Sequence, residues 1–426
     1  MTSQKTSIPM TPALPAEARA LDDAYLMHTY GRLPVQFVGG HGAVLVDAEG
    51  QEYLDFLGGI GAVSLGYEHP RLVAALADQA HKVWQVGNYY YVENRGELAR
   101  DLSGLLSTTT DEKGHVSGSI DQDWKTFFAN SGAEANEGAI KLARRWGERY
   151  LQGATGIVTA RKSFHGRTLA TLAATGQEVF HKSFLPMPAG FGVADFNDLD
   201  ALREALDHPA PECGPVCAVM LECVQGESGV WPATTDYLRG VSDLCHERGL
   251  MLIVDEVQAG IFRCGAPFAF QLAGIVPDIV SMAKGIGGGF PMGAFAARSQ
   301  VADLLGPGDH GSTFGGNALA SAVGRATIET LVGEGMGDHV IEVGDHLAQV
   351  LAGLPHVVEV RGHGLMRAAQ LDVPIANDLV ERGLSAGLVL NHIGDSILRF
   401  LPPLVVTADQ VDQMGARLAA LIDQLA

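Results

Sequence analysis

The stretch SMAKGIGGGFPMG (residues 281–293) sets one lysine, Lys284, between the apolar run PDIVSMA and a run of glycines, Gly285, Gly287, Gly288 and Gly289. Desolvating an ammonium group and ordering glycines both cost free energy, so stability alone does not join them at the end of a strand. One reading is a lysine that snorkels its amine out to solvent. The other is a desolvated amine of lowered pKa, a nucleophile toward an aldehyde, with glycines that let the backbone pass close to a flat ligand. A dinucleotide site fits the glycines poorly, because G-x-G-x-x-G needs glycine where Phe290 stands and no G-x-x-x-x-G-K-[ST] occurs.

Upstream, LMLIVDEVQAG ends a strongly apolar strand in Asp255 and Glu256. One crossover unit fits between this strand and Lys284, so both groups reach the same sheet edge. An aspartate there can simply cap the next segment. Together with Lys284 it suits pyridoxal phosphate, whose pyridine nitrogen a carboxylate keeps protonated so that the ring serves as an electron sink. FFANSGAEANEGAIKLAR offers the phosphate a home: strand, Ser-Gly-Ala and helix follow one another, leaving the N–H groups of Ser131, Gly132 and Ala133 at the positive end of the helix dipole. Ordinary capping by Asn130 or Ser131 explains the same residues without a ligand. Arg167 in FHGRT and Arg399 in ILRFLPP could bind carboxylates bidentately, and two such groups at opposite ends of a pocket would measure a dicarboxylate.

These groups need a scaffold. From about residue 125 to 300, short apolar runs (KTFFAN, GIVTARKS, VCAVMLECV, LMLIVDEV, DIVSMAK, GAFAAR) alternate with helical patterns, which predicts a mostly parallel sheet covered on both faces. GAVLVDAEGQEYLDF reads as a hairpin, and the long helical patterns and short strands after residue 316 suggest a smaller α+β lobe built from both termini. The fold class is α/β, with an N-terminal segment over residues 1–70, a large domain over 71–315 and a small domain over 316–426. Residues 107–123, polar and aperiodic, read as a surface loop.

Composition excludes several functions. The chain has 426 residues, 47% hydrophobic, and a net charge of −20 with no basic block, which argues against nucleic acid or an anionic membrane as partner. The N-terminal MTSQKTSIPMTPALPAEARA lacks a leader pattern and no apolar run approaches the ~18 residues of a membrane span, so a cytoplasmic location is expected. Five cysteines without a C-x-x-C pair argue against a disulfide framework and a zinc ribbon, and no metal is expected.

NSGAEANEGAIKLAR, SFHGRTLAT, VQGESGV, VDEVQAGIFRCG, SMAKGIGGGFPMGAF and GSTFGGNALA, in this order, resemble the class III (subgroup II) pyridoxal-phosphate aminotransferases of fold type I. The resemblance implies Lys284 as the lysine that condenses with the cofactor aldehyde and Asp255 as partner of the ring nitrogen, with Glu256, Val257 and Gln258 beside the ring and Gln258 near its 3-hydroxyl. It implies Phe164 stacked on the ring, where a core phenylalanine is the plainer reading. Ser131, Gly132 and Ala133 go to the phosphate, joined by Thr313 of a neighbouring subunit, and hence a homodimer with shared sites. For substrates it implies Arg399 for the α-carboxylate of glutamate, Glu227 as the group that masks Arg399, Arg167 for the distal carboxylate, and Ser312 and Tyr30 on the substrate side. The implied reaction is transfer of the terminal amino group of N2-acetyl-L-ornithine to 2-oxoglutarate, a step of arginine biosynthesis. Ornithine, succinylornithine and N-succinyl-diaminopimelate are the alternative donors. An aminomutase or decarboxylase on the same scaffold has no need of the Arg399–Glu227 pair. Phe262 and Cys264 are expected to alter the pocket wall.

Overall fold

The computed structural model describes residues 12–426. Residues 1–11, part of the segment read above for a leader, lie outside the described residues. The central sheet has seven strands in the spatial order Trp124–Ala129, Gly293–Arg298, Ile279–Met282, Met251–Asp255, Val216–Leu221, Gly156–Ala160, Phe191–Ala194. From Ile279–Met282 across to Phe191–Ala194 every pair is parallel, while Gly293–Arg298 runs antiparallel to both neighbours. Met251–Asp255 and Ile279–Met282 are buried at every position, which is why they read as unbroken apolar runs rather than as alternation.

Helices cover the sheet. Gly132–Tyr150 buries Ala135, Gly138, Ala139, Leu142 and Ala143, a stripe at three- and four-residue spacing, and packs against Gly293–Arg298 and the strands beside it. Its start is fixed twice: Ser131 Oγ accepts from Glu134 N at 3.2 Å, and the Glu134 carboxylate accepts from Asn130 N at 2.6 Å. The approach of helix to sheet is set by Gly138, where a Cβ would overlap the Phe295 ring.

Two smaller sheets flank this body. Phe37–His41, Val44–Asp47 and Glu52–Asp55 form a meander, the second and third strands being the hairpin expected from sequence, and Leu388–Val389 joins it in parallel with Glu52–Asp55. Val357–His363, Met366–Leu371, Ile397–Phe400 and Asn391–Ile393 form an antiparallel sheet covered by the helix Met336–Ala352, on which the capped helix Ala408–Leu425 packs in turn. In that sheet Arg361 pairs with Ala368, and Ala368 pairs with Arg399, so the two arginines share one row. Among the described residues no helix is long and apolar enough to cross a membrane.

The segment 107–123 differs from the loop expected of it. Thr108–Thr110 pairs antiparallel with Val116–Ser119. The anchor is remote: Gln271 Nε2 donates to Thr108 O at 3.0 Å and to its Oγ1 at 2.9 Å, while Thr110 Oγ1 donates to Gln271 O at 3.1 Å. A polar hairpin held by a side chain far along the chain carries no local periodicity to read.

Replacing Gly138 by alanine should destabilise the protein by about 1–3 kcal/mol, because neither the helix nor the aromatic ring can yield without repacking. A urea unfolding midpoint unchanged from the parent protein would show that the interface tolerates the methyl group.

Candidate active site

The carboxyl ends of the strands surround a cavity of about 390 Å³ lined by residues 130–133, 164–167, 255, 257–258 and 283–284, together with Glu222, Glu227 and Met292. Each contribution follows from the topology. Ala129, Asp255 and Met282 end their strands at this edge, and the antiparallel strand starts here at Gly293.

Lys284 follows the strand Ile279–Met282 and opens a 3-10 turn, Lys284–Gly287, with φ of +48°. Burial lowers its pKa to about 8; the Glu227 carboxylate opposes the shift and the Arg399 guanidinium adds to it. The side chain is half-buried and lines the cavity, where its charge is disfavoured. One of the glycines after it serves a purpose other than the expected one. A Cβ on Gly288, whose φ is +57°, would lie 2.6 Å from Leu72 Cδ2 and 2.8 Å from Thr327 Oγ1, so this glycine lets the turn pack on the helices Pro70–Ala80 and Ala318–Gly333. Of the run, Gly289 is the one that lines the cavity.

Asp255 is held on both oxygens. Asn136 Nδ2 donates to Oδ2 at 2.7 Å, His165 Nδ1 lies 2.8 Å from the same oxygen, and Val257 N donates to Oδ1 at 3.0 Å. Glu256 departs from the expectation. Consecutive residues of a strand face opposite ways, so its carboxylate lies on the far side, accepting from Ala269 N at 3.0 Å and Phe270 N at 2.8 Å. Burial raises its pKa to about 7. Val257 lines the cavity and packs on Gly132, where a Cβ would lie 2.7 Å from Val257 Cγ1.

Glu227 Oε1 accepts from Arg399 Nη1 at 2.7 Å and from Gln258 Nε2 at 2.9 Å. Burial alone would raise the pKa of Glu227, but Arg399 and then Lys284 outweigh it and hold the carboxyl below its usual range. Arg399 is buried and also donates from Nε to Asn391 Oδ1 at 2.8 Å. Phe164 forms part of the wall, with its N–H donating to Glu222 Oε2 at 3.0 Å. Arg167 also lines the cavity, its guanidinium 4.1 Å from the Phe180 ring centre and 5.3 Å from that of Phe164.

Besides Glu256 and Arg399, three expected residues lie outside this cavity within the chain. Tyr30 is 78% exposed and lines a separate cleft with Leu57 and Leu390. Ser312 Oγ accepts from Asn130 Nδ2 at 3.1 Å, next to the cavity, and the carbonyl of exposed Thr313 accepts from Gln85 Nε2. Phe262 and Cys264 are not part of the wall; both are buried in the core behind it.

Sequence reasoning missed Asn136, His165 and Glu222. Asn136 sits one helical turn after Gly132 and so shares its face, a signal the i, i+4 spacing carries. His165 adjoins Phe164. Glu222 ends the buried strand Val216–Leu221 as Asp255 ends its neighbour, and burial together with the Asp255 carboxylate pushes its pKa well above the usual range.

The cavity fits pyridoxal phosphate. The helix N-terminus at Ser131, Gly132 and Ala133, a fixed carboxylate and a lysine of lowered pKa face the same space, and Gln258 Oε1 is buried without a partner.

Residues 25–422 match the family Aminotransferase class-III. The acetylornithine aminotransferase of Caldanaerobacter subterraneus subsp. tengcongensis is 44% identical over 399 residues, covering 91% of this chain and 95% of that protein. The ornithine aminotransferase of Toxoplasma gondii, whose active site holds partially occupied PLP, superposes with a TM-score of 0.85 at 31% identity over 94% of this chain and 92% of that one. N-acetylornithine aminotransferase from Stenotrophomonas maltophilia gives a TM-score of 0.75 at 33% identity over 95% and 98%.

The lowered pKa of Lys284 sets a pH dependence. Below about pH 8 the amine is protonated and inert, and above it neutral and nucleophilic. Reductive labelling of Lys284 in the apoprotein by pyridoxal phosphate and cyanoborohydride should reach half its maximal rate near that pH, well below the surface lysines. A midpoint shared with those lysines would contradict the buried setting.

Proposed function

The chain belongs to the class III aminotransferases, which use pyridoxal phosphate, and from that premise we propose that it converts N2-acetyl-L-ornithine and 2-oxoglutarate to N-acetyl-L-glutamate 5-semialdehyde and L-glutamate. The observation that carries this reading is the Arg399–Glu227 pair at 2.7 Å, in which Glu227 lines the Lys284 cavity and covers the buried Arg399 guanidinium. One amino donor, acetylornithine, reacts at a carbon without a carboxylate; the other, glutamate, reacts at a carbon that bears one. A guanidinium that is neutralised for the first and uncovered for the second serves both.

When bound, pyridoxal phosphate supplies an aldehyde for the amino group and a protonated ring that draws electrons from the reacting carbon. Lys284 Nζ, neutral in part near pH 7, takes the proton from that carbon and returns it on the other side of the transfer, acting as general base and then general acid. Asp255, held by Asn136, His165 and the Val257 N–H, keeps its negative charge aimed into the cavity for the ring nitrogen. The N–H groups of Ser131, Gly132 and Ala133 receive the phosphate, and Phe164 gives the ring a flat wall. Arg167 takes the carboxylate at the far end of either substrate.

Further parts of this reading are a homodimer with shared sites, a cytoplasmic location, and a division into an N-terminal segment (1–70), a large domain (71–315) and a small domain (316–426). The dimer is supported by large exposed aromatic side chains, Trp84, Tyr89, Tyr90, Tyr91 and Phe314, and the two segments that carry them are tied by Asn88 Nδ2 donating to Ser312 O at 2.7 Å. In it Ser312 and Thr313 serve the neighbour's site, and Tyr30 approaches substrate from the N-terminal segment.

A panel of donors with 2-oxoglutarate tests the function: acetylornithine should give the highest kcat/KM against ornithine, succinylornithine and N-succinyl-diaminopimelate, and Lys284→Ala should abolish turnover with the fold intact. Preference for unacylated ornithine by tenfold or more would replace the assignment. Mixing Lys284→Ala chains with Thr313→Trp chains, each inactive alone, should restore activity in hybrid dimers at one site of the two. Verified hybrids without activity would separate Thr313 from the shared site.

A further inference from the structure

The loop that carries Glu227 is pinned along its backbone. Val224–Gln225 pairs with Trp231–Pro232, Arg361 donates from Nε to Gly229 O at 2.7 Å, and the Arg361 guanidinium lies 3.8 Å from a ring centre of Trp231. Trp231 Nε1 donates to Ser228 O at 3.1 Å, and Arg399 Nη1 to Gly226 O at 3.2 Å. What remains free to move is the Glu227 side chain. Its Oε1 is shared by two donors, Arg399 Nη1 and Gln258 Nε2.

A carboxylate only accepts, so the Gln258 amide has one orientation: Nε2 toward Glu227, Oε1 buried against Gly226 without a partner. A Cβ on Gly226 would overlap that oxygen, so the amide can occupy this place because residue 226 is glycine.

Resting on the reading of Arg399 as the receptor for the α-carboxylate of glutamate, we propose that Gln258 is a specificity-determining positioning residue: it keeps a hydrogen bond on the Glu227 carboxylate when that carboxylate gives up Arg399. The argument is differential. With Arg399 covered, Glu227 has two donors, and loss of Gln258 leaves the charge-assisted pair intact. With Arg399 occupied by substrate, Gln258 is the remaining side-chain hydrogen-bond donor, and without it a half-buried carboxylate keeps none from the protein side chains. Removing the amide therefore penalises the uncovered state and the substrates that need it. The asymmetry falls on glutamate and 2-oxoglutarate and spares acetylornithine.

The test uses the holoenzyme with each half-reaction followed separately by cofactor absorbance. In Gln258→Leu, kcat/KM for glutamate should fall about tenfold or more relative to that for acetylornithine, with the loss in KM. Glutarate, a dicarboxylate without an amino group, should bind more weakly by a similar factor in calorimetry. Gly226→Ala, which displaces the same amide without removing it, should show the same asymmetry. Equal losses in both half-reactions, or a larger loss with acetylornithine, would overturn the proposal and leave Gln258 with the cofactor alone. Glu227→Ala tells the two failures apart. If it shifts the glutamate-to-acetylornithine ratio while Gln258→Leu does not, the role of Gln258 fails and the gate stands; if neither shifts it, the gate reading fails and the proposal falls with it. In the Glu227→Ala background Gln258→Leu should add no further asymmetry.

Discussion

A primary amine whose charge its surroundings disfavour is the constraint around which this molecule is arranged. Lys284 shares its cavity with Glu222, Glu227 and Asp255, and the Arg399 guanidinium acts on it from behind Glu227. Burial works against its charge and the carboxylates work for it, and the balance leaves a base of pKa about 8. Each neighbour must then be kept from drifting into a permanent ion pair with the lysine. Glu227 is drawn off by Arg399 and Gln258, Asp255 by Asn136, His165 and the Val257 N–H. Glu222 is opposed by burial and by the Asp255 carboxylate, which together raise its pKa well above the usual range.

The sheet is what makes this arrangement affordable. Parallel strands end together, so residues far apart in sequence arrive at one edge with their backbone hydrogen bonds already made within the sheet. The antiparallel strand Gly293–Arg298 adds its starting end to the same edge, which brings Met292 into the wall. Small residues set the spacing between layers: Gly138 under Phe295, Gly132 under Val257, Gly288 under Leu72. A site held by such close contacts has little slack, and that suits groups that must meet within hydrogen-bonding distance.

Much of this was legible in the sequence. An apolar run ending in Asp255 and another ending at Lys284 reveal both strands and, through the rule that such sheets bind ligands at their carboxyl ends, the site itself. The strand–Ser-Gly-Ala–helix order at 125–150 reveals the cradle. What stayed hidden depends on pairings that sequence spacing does not encode. Asn136 and His165 meet Asp255 from elements far away along the chain, and the Thr108–Thr110 hairpin depends on Gln271. Glu256 was misread because adjacent residues were assigned to one ligand although the strand sends them to opposite faces. The glycines near Lys284 were read as clearance for a ligand, whereas Gly288 answers to Leu72 and Thr327, two helices the local sequence does not announce.

The clamp of Arg361 on the Glu227 loop also has a consequence in time. Loop and domain rearrangements take from nanoseconds to milliseconds or longer, while side-chain rotations are the faster class of motion. Gly229 and buried Val230 hold positive φ values of 127° and 56°, a backbone shape with few alternatives, and Arg361 grips the Gly229 carbonyl. An exchange of receptors confined to one glutamate side chain need not wait for the slower motions. Under the gate proposed above, alternation between two amino donors of different shape needs a side-chain rotation and no movement of the loop.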